Sequence, residues 1–298
     1  MFMMKVVFLA QCALSVSAFV TPSSNIHVRP TNNILQLSMA QDPTHAHHEQ
    51  DRRSLLTNLI LTGTLFLPTH SALAEEAPAT PPKSKKVVVL GGAGYVGSRV
   101  TTLLAAQDGI SVVSVSRSSP ADQAAKIKAN TGQSVPSSLE FASLDALQDD
   151  LSSVMKDASI VVSCVGIAPW EKSTARAGNG VANTRIADAA KAAGVEKFVY
   201  VGVDTQFSNG PGKFLFSEYM KGKAEAEAAV LKDFGSGSAV FIKPGLIDGA
   251  PPGEIRPPAP PGLATLSPDA VAKAVVAAVL GTVSGSVDGY DAIMAAAK

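Results

Sequence analysis

Histidine is missing from residues 75–298: all five, His27, His45, His47, His48 and His70, lie upstream. Cysteine is almost missing too, since Cys164 is alone in that region and Cys12 sits near the start of the chain. These absences exclude an intrachain disulfide, a histidine acid or base and a zinc site of the Cys/His kind, so no metal is expected. Cys164 itself falls within an apolar strand pattern and reads as a core thiol rather than a nucleophile. Charge of one sign is lacking as well. Setting aside Lys5, Arg29, Arg52 and Arg53 from the 25 basic residues, and Asp42, Glu49 and Asp51 from the 25 acidic ones, leaves 21 against 22. No basic field invites nucleic acid or anionic lipid. Chemistry in residues 75–298 must therefore come from tyrosine, lysine, Ser/Thr, carboxylates or a bound cofactor.

The first quarter of the chain reads as an address. Residues 1–18 carry one lysine, an apolar stretch too short to span a bilayer comfortably, and Val16-Ser17-Ala18, as a secretory signal peptide does. The following Phe19-Val20-Thr21-Pro22 resembles the cleavage motif of proteins entering complex plastids. Residues 19–51, rich in Ser, Thr and Asn and poor in acids, read as a transit peptide. Residues 52–74 open on Arg52-Arg53 and close on Ala72-Leu73-Ala74 around an apolar core, which resembles a Tat-type thylakoid transfer signal. An uncleaved hydrophobic anchor, or a chance arginine pair in a longer transit peptide, fits the same run. The expectation is a complex plastid, with the thylakoid lumen as its finer form. Residues 75–85 form a Pro/Ala linker.

What the chain has in plenty is a glycine-rich turn in the right place. The continuous apolar run Val87-Val88-Val89-Leu90 reads as a strand buried on both faces. It enters Gly91, Gly92, Gly94 and Gly97, and a helical stretch, Ser98–Ala106, follows. Gly92, Gly94 and Gly97 match G-x-G-x-x-G, whose glycines permit a tight turn and close backbone approach to a pyrophosphate at the helix N-terminus. A second apolar run, Ile110–Ser116, ends at Arg117, twenty residues past Gly97. An acidic residue there would accept bonds from the adenosine ribose. An arginine among Ser116, Ser118 and Ser119 suits a 2′-phosphate, which favours NADP(H) over NAD(H).

The remainder alternates helix and strand. Helices are expected over Pro120–Ala129, Ala146–Ala158, Val181–Ala193, Ser217–Phe234 and Pro268–Leu280, with Gly194 and Ser267 as caps. Strands are expected over Ser138–Leu144, Ser159–Val165, Lys197–Val203 and Ser238–Lys243, then a short tail, Val287–Lys298. There is no internal repeat. Right-handed crossovers between such units give an α/β fold: a doubly wound parallel sheet of Rossmann type, one domain over residues 86–298, strand order 3-2-1-4-5-6.

Several segments together resemble an atypical short-chain dehydrogenase/reductase: the glycine turn, Asp145, the SCVG strand end, NTRIADAAKAAGVEKFVYVG, Tyr219-Met220-Lys221-Gly222-Lys223 with AEAE, and Lys243-Pro244-Gly245. The likeness is greatest to the group holding the nucleotide-binding accessory subunit of respiratory complex I and coenzyme Q-associated proteins. The resemblance implies that Gly91, Gly92, Gly94, Tyr95, Val96 and Gly97 hold the pyrophosphate and Arg117 the 2′-phosphate. It implies that Asp145 lies by the adenine, Val165 and Gly166 by the nicotinamide ribose, and Pro244 and Gly245 by the nicotinamide face. Tyr219 and Lys223, spaced i, i+4, share a helix face. In such enzymes the tyrosine exchanges a proton with the substrate oxygen while the lysine bonds the ribose and lowers the phenol pKa.

One departure weighs against catalysis. Active members carry Ser or Thr at the end of the fifth strand, and this chain reads Val201-Gly202-Val203. Thr205 or Ser208 would have to bend back to replace it. Two functions therefore stay open. One is an NADPH-dependent oxidoreductase acting on a small carbonyl or quinone-like substrate. The other is a non-catalytic, NADP(H)-bearing assembly or stability factor for a membrane complex. A nucleotide-sugar epimerase fits less well, because the domain is short for the substrate lobe those enzymes add.

Overall fold

The computed structural model describes residues 84–298 apart from 257, 260 and 261. The expected signal peptide, transit peptide, transfer signal and most of the linker lie outside the described residues.

The alternation of apolar runs with amphipathic stretches builds one parallel sheet. In chain order come β1 (Lys85–Leu90), α1 (Gly97–Ala105), β2 (Ile110–Ser116), α2 (Pro120–Thr131), β3 (Leu139–Ser143), α3 (Ser152–Met155) and β4 (Ile160–Ser163). A π-helical turn, Ala177–Val181, leads into α4 (Ala182–Ala192), then β5 (Lys197–Val201), α5 (Thr205–Asn209), α6 (Pro211–Leu215), α7 (Ser217–Ser238) and β6 (Ala239–Lys243). β7 (Leu246–Ile247), β8 (Thr265–Leu266), α8 (Pro268–Leu280), β9 (Gly285–Asp288) and α9 (Gly289–Ala296) complete the chain.

The sheet has seven strands in the order β3-β2-β1-β4-β5-β6-β9, every pair parallel. Strands β1 to β6 take the expected order. The seventh, β9, starts just before what reads as a tail, ends inside it, and pairs Ile242 with Val287. Its sequence, Gly-Ser-Val-Asp, has one apolar residue and so no period to detect; pairing with β6 makes it a strand.

Both faces of the sheet are covered, which is why its inner strands β1, β4, β5 and β6 read as nearly unbroken apolar runs. Val87, Val89, Val162 and Ile242 face a core closed by α1 and α8, through residues such as Leu104 and Val275. Val88, Leu90, Val161 and Phe198 face the other, closed by α4 and α7 through Ile186 and Val230. Two expected helices change extent markedly, and helix appears where none is expected. Of Ala146–Ala158 only Ser152–Met155 is helical, because Asp145 and Asp150 bind nearby main-chain amides in turns. The start of Val181–Ala193 extends backwards as the π-helical turn. Residues 204–213, where no helix is expected, hold α5, capped by the Asp204 carboxylate on the Phe207 amide, and the start of α6.

Because all strands run one way, the exits of β1 through β6 lie along a single edge. The switch from β2-β1 to β1-β4 opens a crevice between the glycine turn and the β4 exit. Gly91 turns there with φ 75°, and a Cβ on it would stand 2.9 Å from the Cys164 carbonyl.

Candidate functional site

The glycine turn is built by main-chain contact. The Gly91 and Gly92 amides both donate to the Val115 carbonyl, tying the turn to β2, and the Gly94 amide donates to the Gly91 carbonyl at 2.9 Å. α1 then starts so close to the turn that a Cβ on Gly97 would overlap the Gly91 carbonyl oxygen. No side chain caps α1, and its first turn holds no acid. Among the described residues, the amides of Tyr95, Val96 and Gly97 find no acceptor. Unspent amides at an uncapped helix N-terminus fit a pyrophosphate. The residues present therefore fit the dinucleotide that the turn implies.

Tyr95 reaches away from the turn. Its hydroxyl donates to the Asp248 carbonyl at 2.9 Å, and the Arg99 and Arg256 guanidiniums lie 4.8 and 5.5 Å from its ring centroid. This ties the turn to the Pro-rich segment after β7. Arg99 is pinned by Asp269 of α8 at 3.1 Å and by the Tyr95 carbonyl.

Arg117 stands exposed just past β2. Asp145 follows β3, and one carboxylate oxygen accepts the Leu147 amide at 2.9 Å. At the β4 exit, Asn183 Nδ2 donates to the Val165 carbonyl and Asn179 Nδ2 to the Ile167 carbonyl. Both asparagines are fully buried and hold the loop after β4 in place. Their signal lay in the sequence as two polar residues four apart on a helix, but nothing local said which strand they would serve. The Pro244 carbonyl accepts the Asp204 amide, and Gly245 beside it has open space around its Cα.

α7 brings the second half of the site. It crosses the π-helical turn where two glycines meet: a Cβ on Gly222 would lie 3.0 Å from the Gly180 amide nitrogen. That close approach sinks the next residue, Lys223, into the crevice, where it is 7% exposed. Its ammonium donates to the Val201 carbonyl at 3.1 Å, and a Cβ on Gly166 would be 3.6 Å from it. Burial pushes its pKa down to about 8. The Tyr219 ring, one turn earlier, has its centroid 5.8 Å from the ammonium. Tyr219 is half-buried, and burial pushes its phenol up to about 12. The expected lowering by Lys223 is not seen, because that ammonium points to Val201 and not to the phenol oxygen. Burial also raises the Cys164 thiol to about 12, as a core thiol requires.

Neither stand-in hydroxyl is available at the β5 exit. Thr205 bonds the Asp288 carboxylate through both its amide and its hydroxyl, and Ser208 donates to the Thr205 carbonyl. Lys243 reinforces this corner, pairing with Glu227 at 2.5 Å and reaching Thr205 Oγ1 at 3.4 Å. No group of three or more metal-ligating side chains occurs among the described residues.

A doubly wound parallel sheet with a glycine turn at its switch point defines an NAD(P)-binding Rossmann domain. The chain belongs to the NAD(P)H-binding family, whose model matches residues 91–283. It is 37% identical over 167 residues to an uncharacterized chloroplastic protein of Arabidopsis thaliana; the match covers 56% of this chain and 52% of that relative. The chain thus spans about half the length of the curated relative it matches. Among solved structures, it is similar to UDP-glucuronic acid 4-epimerase from Bacillus cereus, in complex with NAD (TM-score 0.51, 18% identity, 68% of this chain and 76% of that one). It is similar also to UDP-N-acetylglucosamine 4-epimerase from Methanobrevibacter ruminantium (TM-score 0.52, 18% identity, 69% and 76%). Those two likenesses speak for the fold alone.

Proposed function

We propose that the protein is a plastid NADPH-dependent reductase of a small apolar carbonyl or quinone-like substrate. The observation that carries this reading is the Lys223 ammonium, buried between Gly166 and the Tyr219 ring and held on the Val201 carbonyl. A buried cation is costly unless something compensates it, and here it faces the place where a cofactor ribose would lie. When bound, the nicotinamide would supply the hydride. Tyr219, whose phenol keeps its proton at neutral pH, would give that proton to the substrate oxygen, which suits reduction. Lys223 would orient the ribose through its remaining ammonium protons. Arg117 among Ser116, Ser118 and Ser119 favours NADP(H) over NAD(H). Trp170, Phe214 and Ile255, 47%, 84% and 98% exposed, follow β4, β5 and β7 and supply apolar surface on the substrate side. The presequence pattern and the chloroplastic relative support the plastid, and Ala72-Leu73-Ala74 supports the lumen as its finer form. Finding Glu75 as the mature N-terminus by mass spectrometry would support the lumen.

One observation favours a second reading. With Thr205 and Ser208 both committed, the β5 exit offers no hydroxyl for developing oxyanion charge. The protein would then carry NADP(H) while assembling or stabilising a membrane complex. Oxidation of NADPH with quinone and small carbonyl panels separates the two, comparing wild type with Tyr219→Phe. Turnover lost in the variant supports the reductase; equal silence in both supports the scaffold.

A further inference from the structure

α2 connects the two phosphate sites of the crevice, and we propose that Lys126 on this helix is a second cationic ligand of the adenosine 2′-phosphate, beside Arg117. The inference rests on the NADP(H) reading above. Its starting point is the side of α2 on which helical spacing puts Gln123, Lys126, Ile127 and Asn130, with Gln123 and Ile127 buried and Lys126 exposed at the margin.

Gln123 is fully buried and spends its whole amide. Nε2 donates to the Ser118 carbonyl at 3.0 Å and the Ala142 carbonyl at 2.8 Å, while Oε1 accepts the Ser114 hydroxyl at 2.9 Å. The loop after β2 is thereby clamped to β2 and β3 at the residue next to Arg117. Asn130, two turns on, donates to Ser98 Oγ at 2.9 Å and reaches the Gly94 carbonyl at 3.4 Å. One helix thus holds both the 2′-phosphate loop and the pyrophosphate turn.

Between those two anchors stands Lys126. Its ammonium donates to Ser118 Oγ at 2.6 Å, so it lies against the residue that follows Arg117. It makes no ion pair with any carboxylate among the described residues. Asp122, one turn away, is occupied instead by the capping residue, accepting the Ser119 hydroxyl at 2.7 Å. A phosphate monoester carries about −1.5 to −2 charge at neutral pH, more than one guanidinium balances. An ammonium has three protons, so Lys126 can keep Ser118 and still donate to the phosphate.

The test is titration of wild type, Lys126→Gln, Lys126→Arg, Arg117→Gln and the outward-facing control Lys128→Gln with NADPH, NADH, 2′,5′-ADP and 5′-AMP. Lys126→Gln should weaken NADPH and 2′,5′-ADP by about tenfold, the scale of one charge-assisted hydrogen bond, and leave NADH and 5′-AMP unchanged. Lys126→Arg should retain most of the affinity, and Lys128→Gln should behave as wild type. Unchanged NADPH binding in Lys126→Gln, or an equal fall for NADPH and NADH, overturns the inference. The outcomes separate from those of the underlying reading. A wild type without preference for NADPH overturns both, whereas a preference lost in Arg117→Gln but kept in Lys126→Gln overturns the role of Lys126 alone.

Discussion

The Lys223 ammonium donates to the Val201 carbonyl across 3.1 Å, joining the second turn of α7 to the exit of β5. This one bond places a lysine at the mouth of the crevice and leaves the tyrosine of the same helix face with its own proton.

That burial has a pH signature. The folded protein holds the Lys223 proton only up to about pH 8, the unfolded chain up to about 10.5. Between those values the unfolded state binds more protons, so stability rises with pH; the penalty is fully present below pH 8 and gone above 10.5. Relative to Lys223→Met, wild type should therefore gain up to about 3 kcal/mol across that window. Urea unfolding of both proteins at pH 7.5 and pH 10 measures it, and a difference independent of pH would contradict the burial argument.

Gly97→Ala places a Cβ on the Gly91 carbonyl oxygen, main chain against main chain, where nothing flexible can yield. A loss of about 1–3 kcal/mol is expected, together with loss of nucleotide binding. Gly245→Ala meets nothing within 4 Å and should melt like wild type. Thermal melts with and without NADPH compare the two.

Thr205→Val removes a hydroxyl committed to Asp288. Stability should fall by about 1–3 kcal/mol as the partly buried carboxylate loses one of its two donors, keeping the Thr205 amide. Any NADPH oxidation per folded molecule should be unchanged. A fall in kcat without a fall in stability would return Thr205 to the chemistry.

Gln123→Leu leaves the Ser118 and Ala142 carbonyls and the Ser114 hydroxyl without their partner. Each buried group left unpaired costs about 1–3 kcal/mol. The loop carrying Arg117 should loosen, so the ratio of NADPH to NADH affinity should narrow in a titration even under conditions where the variant stays folded.

Val87–Leu90, the glycines after it and the alternation that follows determine by themselves the doubly wound sheet and the order of its first six strands. The inner strands β1, β4, β5 and β6 are buried on two faces, and such burial writes itself as a nearly unbroken apolar run, whereas the edge strand β3 buries only Leu139. The Tyr219/Lys223 spacing is equally local, because one helical turn sets it. β9 could not be read, since a strand made by a neighbour's hydrogen bonds carries no period of its own. Where the Lys223 ammonium points was decided by the Gly180–Gly222 crossing, a contact between segments forty residues apart. The commitment of Thr205 to Asp288, the clamp by Gln123 and the approach of Lys126 to Ser118 likewise arise from tertiary packing. A side chain's partner depends on which backbone the fold brings beside it, and spacing along the chain holds no record of that.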